Sequence, residues 1–236
     1  MLPKLQDRFS RINFVGGEPT ESPFLIPLVE EAKELGFSTS IVTNGYNMIH
    51  DIIDTHRLLA SLDCVGISID SVNPDTCRKL GRFVNKNNKK EIITEEEYLS
   101  LCERIHAAGV RLKINTVISQ LNKNEDMSHF YKMALPDRIK IFQCLKPNNP
   151  LKHDYTDLLI KQSDFLKYQS RFAKEQLPLV FENNDDMINS YYMIGSDGCF
   201  WDNQTGKKSK PLLEVSVDEA LKSIIVDEYK YERRYA

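Results

Sequence analysis

Short apolar runs alternate with amphipathic segments through the first two-thirds of the chain. Residues 12–15 and 38–42 read as strands, the second rich in β-branched side chains. Between them Leu25, Leu28, Val29, Ala32 and Leu35 recur at helical spacing, which predicts a helix over 24–35. Ser22-Pro23 is a cap and first-turn pair, and Gly36 is the stop. A second helix is predicted over 51–62, with Ile52, Ile53, Leu58 and Leu59 inward, and a strand over 65–69. Thr94-Glu95-Glu96-Glu97 is a capping box, in which the Thr hydroxyl and the Glu97 carboxylate satisfy free N–H groups. The helix it opens buries Tyr98, Leu101, Cys102, Ile105 and Ala108 and stops at Gly109. A strand over 110–118, a helix over 125–134 and a strand over 139–145 follow.

Strands alternating with helices predict an α/β fold: a parallel sheet with helical crossovers. The strands are too few to close a barrel, so an open, partial barrel is expected. The last third is less regular. A helix is predicted over 163–174 and short strands over 179–181, 190–194 and 199–201. Gly195-Ser196-Asp197-Gly198 joins the last two strands in a hairpin turn. A closing helix is predicted over 217–225, and Lys86 to Lys90 reads as a loop. The expected division is a barrel core over 1–145 and a C-terminal extension over 146–236.

Composition narrows the class. The 236 residues carry 34 acidic and 31 basic side chains, a formal charge of -3, and are 41% hydrophobic. That balance excludes a disordered tail, a collagen and a disulfide scaffold. A pI near 6.0 gives no blanket electrostatic case for nucleic acid or an acidic membrane. The first ten residues lack the apolar core of a signal peptide, and no stretch reaches the roughly 18 apolar residues of a spanning helix. A cytoplasmic protein without membrane or nucleic-acid partners is expected. Five cysteines, at 64, 77, 102, 144 and 199, are far apart, and none forms a C-x2-4-C knuckle. They read as reduced thiols, those at 102 and 144 as core residues.

Ligands of parallel α/β folds bind at strand C-termini. After the successive strands come Gly16-Gly17-Glu18-Pro19, Thr43-Asn44-Gly45 and Ser68-Ile69-Asp70-Ser71. Lys113, Asn115 and Thr116 lie on the fourth strand, and Arg138, Lys140, Gln143 and Cys144 on the fifth. Singly, a Gly-Gly or Asn-Gly pair is a turn and an Asp a helix cap. Together, at successive strand ends, they read as a site. Paired glycines before a carboxylate admit a ligand to the backbone, and the carboxylate suits a cationic amine. Arg138 and Lys140 share a strand face. Two cations turned into a barrel need an anion, for which a triphosphate is suited. The alternative places both on a solvent-facing edge.

These residues, in this order, resemble the radical S-adenosylmethionine superfamily and, within it, the viperin family. The match runs through Ile12-Asn13-Phe14, Gly16-Gly17-Glu18-Pro19, Val42-Thr43-Asn44-Gly45, Ile67 to Ser71 and Leu80-Gly81-Arg82. It continues through Lys113 to Ile118, Asn122, Glu125-Asp126-Met127 and Arg138 to Leu145. Glu182, Asn183, Met187, Ser190 and Tyr191 match a further segment, so the likeness spans about Arg11 to Asp227. The resemblance implies an antiviral-defence enzyme that cleaves S-adenosylmethionine reductively at a [4Fe-4S] cluster, fed by a donor such as a flavodoxin or ferredoxin. The resulting 5′-deoxyadenosyl radical takes the 4′ hydrogen of a nucleoside triphosphate. Loss of the 3′ hydroxyl as water gives a 3′-deoxy-3′,4′-didehydro nucleotide that terminates polymerase chains.

By position, the resemblance implies that Gly16, Gly17 and Glu18 hold the methionine amine. Asn44, Ser68 and Asp70 surround the adenosyl group, Val117 belongs to the same cofactor set, and Arg82 meets the carboxylate. Lys113, Asn115, Arg138 and Lys140 hold the nucleotide and its phosphates, with Arg11 as a further cation. Tyr191 closes over the substrate and relays a proton or hydrogen atom. The family's C-x3-C-x2-C cluster motif has no counterpart in these residues, so no metal ligand is assigned. Three explanations are open: a start assigned at an internal methionine, a truncation, or a cluster-free relative that still binds nucleotide. Without the motif the chain alone is expected to be inactive. Without the family's first strand, residues 12–15 are expected to form an edge with bare apolar faces and poor solubility.

Overall fold

The computed structural model describes residues 1–86, 89–145 and 156–233. In chain order its elements are β1 (Arg11–Phe14), α1 (Leu25–Glu34), β2 (Ser38–Thr43), α2 (Tyr46–Ile49), α3 (Thr55–Ala60), β3 (Cys64–Ser68) and α4 (Pro74–Leu80). Next come β4 (Val84–Lys86), β5 (Lys89–Glu91), α5 (Glu95–Ala107), β6 (Arg111–Ile118), α6 (Ser128–Ala134) and β7 (Arg138–Gln143). The remainder holds α7 (Gln162–Ser170), β8 (Leu179–Glu182), α8 (Asn184–Met187), β9 (Met193–Ile194), β10 (Cys199–Trp201), β11 (Lys208–Pro211), α9 (Val217–Leu221) and α10 (Glu228–Arg233).

The expected parallel sheet is present, with strand order β1-β2-β3-β6-β7-β8. All neighbours in it are parallel. The sixth strand comes from the region expected to be an irregular extension. The boundary proposed at 145/146 adjoins residues 146–155, which lie outside those described. The central strands alternate in burial. Ile41, Val65, Ile67, Leu112, Ile114, Ile139 and Ile141 form one face, covered by Leu58, Leu101, Ile105, Phe130 and Tyr131 of the helices. This is the main core.

A second core joins the two ends of the chain. Leu2, Leu5, Ala32 and Phe37 pack with Phe200, Leu212, Val217 and Ala220. Ile12 and Phe14 of β1 pack against this cluster. So β1 is a sheet edge, as expected, but its apolar face is covered by β10 and α9 rather than bare.

Several local expectations are corrected. Helix α1 starts at Leu25 without a side-chain cap; Ser22 instead ends a 3-10 turn over 19–21. Leu28 points outward, at 40% exposure. Of the helix expected over 51–62 only Thr55–Ala60 is helical, as α3, and α2 ends before it at Ile49. Asp51 takes a left-handed φ of 50°, and the Asp54 carboxylate accepts from Arg57 N at 3.0 Å to start α3 afresh. Ile52 is consequently exposed. The capping box before α5 is present, with Glu97 N donating to Thr94 Oγ1 at 3.2 Å and Thr94 N to Glu97 Oε2 at 2.8 Å. Ala108, expected inside that helix face, is exposed. Helix α6 starts three residues late, because Asp126 accepts from Ser128 N at 2.9 Å. Lys86, Lys89 and Lys90, expected in a loop, belong to an antiparallel pair, β4 with β5; Asn87 and Asn88 lie outside the described residues. The β9–β10 hairpin forms as expected, joined by a third strand, β11. The closing helix stops at Leu221.

Candidate ligand site

The helix-free face of the sheet is polar. Its side chains follow from strand alternation and ladder register. In one row Val42, Gly66, Lys113 and Arg138 stand in line across four strands. In the next row toward the strand C-termini stand Ser68, Asn115, Lys140 and Val180. Val117, Phe142 and Glu182 form the row beyond.

Gly66 is the low point of this surface. A Cβ there would lie 2.9 Å from Lys113 Cε and 3.3 Å from Asn115 Nδ2, so the lysine stem lies directly over the glycine. Burial pushes the neighbouring Cys64 thiol up, and the Lys113 and Arg111 charges pull it partly back. Asn115 Oδ1 is buried with no hydrogen-bond partner among the described residues. An orphaned acceptor above a glycine cradle fits a ligand that brings a donor.

Lys140 is buried at 7% exposure, on an inner strand, so the solvent-edge alternative fails. The anion that compensates it is internal: Lys140 Nζ donates to Glu182 Oε1 at 2.7 Å. The carboxylate was named in the sequence, but only the β7–β8 pairing shows its partner. Arg138 opens its strand rather than ending it, so the cations form a band across the face, not a ring at its mouth. Arg11 lies on the edge strand, paired in register with Ser38, rows away toward the strand N-termini. It is not brought to Lys113 and Arg138 by the ladder.

The other predicted residues gather at the strand C-termini. Glu18 ties its loop to the end of β2: Oε1 accepts from Thr20 Oγ1 and Thr43 Oγ1, both at 2.6 Å, and Oε2 from Asn44 N at 2.7 Å. Gly16 and Gly17 are exposed beside it, Gly16 at φ 154°. Asn44 Oδ1 accepts from Tyr46 N at 2.8 Å. Asp70, 5% exposed, accepts from Arg82 Nε at 2.6 Å on Oδ2 and from Val117 N at 2.8 Å on Oδ1. Arg82 itself is half-exposed and already paired. Tyr191 is half-buried between α8 and β9. A cavity of about 680 Å³ lies elsewhere, between Arg8 and Phe9 and the Tyr192, Lys222 and Tyr231 side chains, and no predicted site residue lines it.

The cysteines do not fit an iron–sulfur cluster. They are distributed over β3, α4, α5, the end of β7 and β10. Among the described residues no three His, Cys, Asp or Glu side chains are grouped to hold a metal. Burial raises the thiols of Cys77, Cys144 and Cys199, and Cys102 to about 12, away from thiolate ligand character.

Known proteins are similar to this chain in sequence and in fold. A family model described as the radical SAM superfamily matches residues 2–134. An S-adenosylmethionine-dependent nucleotide dehydratase of Flammeovirga pacifica is 38% identical over 92% of this chain and 73% of its own. One of Lacinutrix mariniflava is 33% identical over 96% of this chain, which spans 47% of that relative's length. Among solved structures, Streptococcus suis SuiB bound to S-adenosylmethionine superposes with a TM-score of 0.64, covering 100% of this chain and 59% of SuiB at 16% identity, which supports the fold. The parallel sheet, the motifs at its strand ends and these relatives together place the chain in the radical SAM superfamily, among the S-adenosylmethionine-dependent nucleotide dehydratases of the viperin family.

Proposed function

We propose that the polar face binds S-adenosylmethionine and a nucleoside triphosphate, and that the protein dehydrates the nucleotide. One observation carries this: Lys113 laid over Gly66, Arg138 beside it in register, and the orphaned Asn115 Oδ1 in the next row. The two cations suit phosphate oxygens, and the amide suits a sugar or base donor. Gly16, Gly17, Glu18, Asn44, Ser68, Asp70, Arg82 and Val117 form the adenosylmethionine side. Lys113, Asn115, Arg138 and Lys140 form the nucleotide side, with Arg11 at the periphery. The 4′ hydrogen would end in 5′-deoxyadenosine, the 3′ hydroxyl would leave as water by taking up a proton, and one electron from the donor would complete the double bond between the two carbons. Tyr191 is the proton or hydrogen-atom relay. Such a product terminates polymerase chains, which gives the enzyme an antiviral use, and the reduction calls for a donor such as a flavodoxin or ferredoxin.

The scatter of the cysteines favours a second reading, a module that binds nucleotide or adenosylmethionine without redox chemistry. Iron content and 5′-deoxyadenosine formation under reducing, anaerobic conditions separate the two. Arg138→Ala tests the shared premise, since it leaves the Lys140–Glu182 pair in place. Calorimetry should show triphosphate affinity falling about tenfold or more. Unchanged affinity rejects the phosphate assignment.

A further inference from the structure

The ladder between β3 and β6 ends at the pair Ser68 and Asn115. Asp70 and Val117 lie beyond it, yet their separation is fixed. Asn122, in the turn after β6 and 2% exposed, spans the gap. Its Nδ2 donates to Asp70 O at 2.8 Å and to Val117 O at 2.9 Å. Its Oδ1 accepts from Ser119 N at 2.7 Å and Ser119 Oγ at 3.1 Å. Both amide protons and both acceptor positions are therefore used inside the protein. Val117 is held at both backbone groups, since its N–H donates to Asp70 Oδ1 at 2.8 Å. The other Asp70 oxygen carries Arg82. One buried amide thus closes a circuit through Asp70, Arg82 and Val117.

We propose that Asn122 is a positioning residue for adenosylmethionine: it holds Asp70, Arg82 and Val117 at a fixed spacing before the ligand arrives. The proposal rests on the assignment of those three residues to the adenosylmethionine side. Only an amide does this work. A carboxylate at 122 could not donate to two carbonyls, and an alanine would leave those carbonyls and the Ser119 N–H unpaired. Fixing recognition groups in advance removes an ordering cost from binding.

The test compares Asn122→Ala and the milder Asn122→Ser with Thr39→Val. Thr39 is equally buried, and its Oγ1 donates to Ser61 O at 2.6 Å near the start of β2, remote from the site. Two quantities are read: adenosylmethionine affinity by calorimetry, and exchange of the Val117 amide proton. Both Asn122 variants should weaken binding about tenfold and speed Val117 exchange by a similar factor relative to amides of the central strands. Thr39→Val should move neither, though it too lowers stability. Asn122 variants that lose stability while keeping Val117 protection and affinity overturn the proposal and leave the site assignment intact. A wild-type chain that binds no adenosylmethionine overturns the site assignment itself, and the two failures are told apart.

Discussion

Gly66 shows how much one residue decides. Its missing side chain lets Lys113 cross the sheet, and Ile41 O also lies 3.3 Å from where a Cβ would be. Gly66→Ala should displace the lysine and weaken triphosphate binding several-fold, at a stability cost of about 1–3 kcal/mol. Calorimetry and a urea titration check the two parts, and unchanged affinity refutes the role. Tyr46 offers a pH signature. Its hydroxyl donates to Glu91 Oε2 at 2.6 Å, and this bond, helped by burial, pushes its ionisation from the ordinary 10.0 to about 12. The folded value is raised, so the contribution is fully present below about pH 10 and is lost as pH rises through about 12. Tyr46→Phe should flatten that alkaline decline, as stability measured across the range would show. Neither residue stood out in the sequence. Gly66 sits mid-strand with no turn signal, and Glu91 meets Tyr46 only through the β4–β5 hairpin.

At the scale of elements, short apolar runs and β-branched side chains found the strands β1, β2, β3, β6 and β7, because strands of a buried parallel sheet are built from such residues. These signals failed where a polar side chain overrode the pattern. Ile52, Ile53, Leu58 and Leu59 keep helical spacing, but Asp51 breaks the backbone before them and Asp54 starts α3 only after Ile53. The pairing of β7 with β8 has a test of its own. Lys140 and Glu182 are buried, with side-chain exposures of 8% and 7%. Glu182→Ala removes the carboxylate to which buried Lys140 Nζ donates and should cost about 3–5 kcal/mol in urea unfolding. Replacing both with apolar residues of similar volume should recover most of that loss. A single substitution costing under about 1 kcal/mol would mean the pair does not hold the strands together.

At the scale of the whole molecule, the second core joins the two ends of the chain. Leu212, fully buried, packs with Leu2, Leu5, Phe37 and Phe200. Leu212→Ala should cost about 2–5 kcal/mol. Combined with Leu5→Ala it should deviate from additivity, since both line one cluster. Strict additivity in thermal unfolding would show that the two ends are independent. This coupling covers β1, whose apolar face the sequence left without a partner.

What the sequence determined by itself was local and ordered. The strand–helix alternation, the capping box at Thr94 and the run of motifs from Gly16 to Lys140 are written in consecutive residues, and so was the likeness to a family. The tertiary structure decided which of those residues meet. It turned Lys140 toward Glu182, tied Glu18 to the end of β2 and Asp70 to β6, laid Lys113 over Gly66 and set Arg11 in a row away from the other cations. The physical reason is that partners from distant strands leave no spacing in the chain. A buried charge states that it needs a counter-charge, but only the register of neighbouring strands says which one it receives.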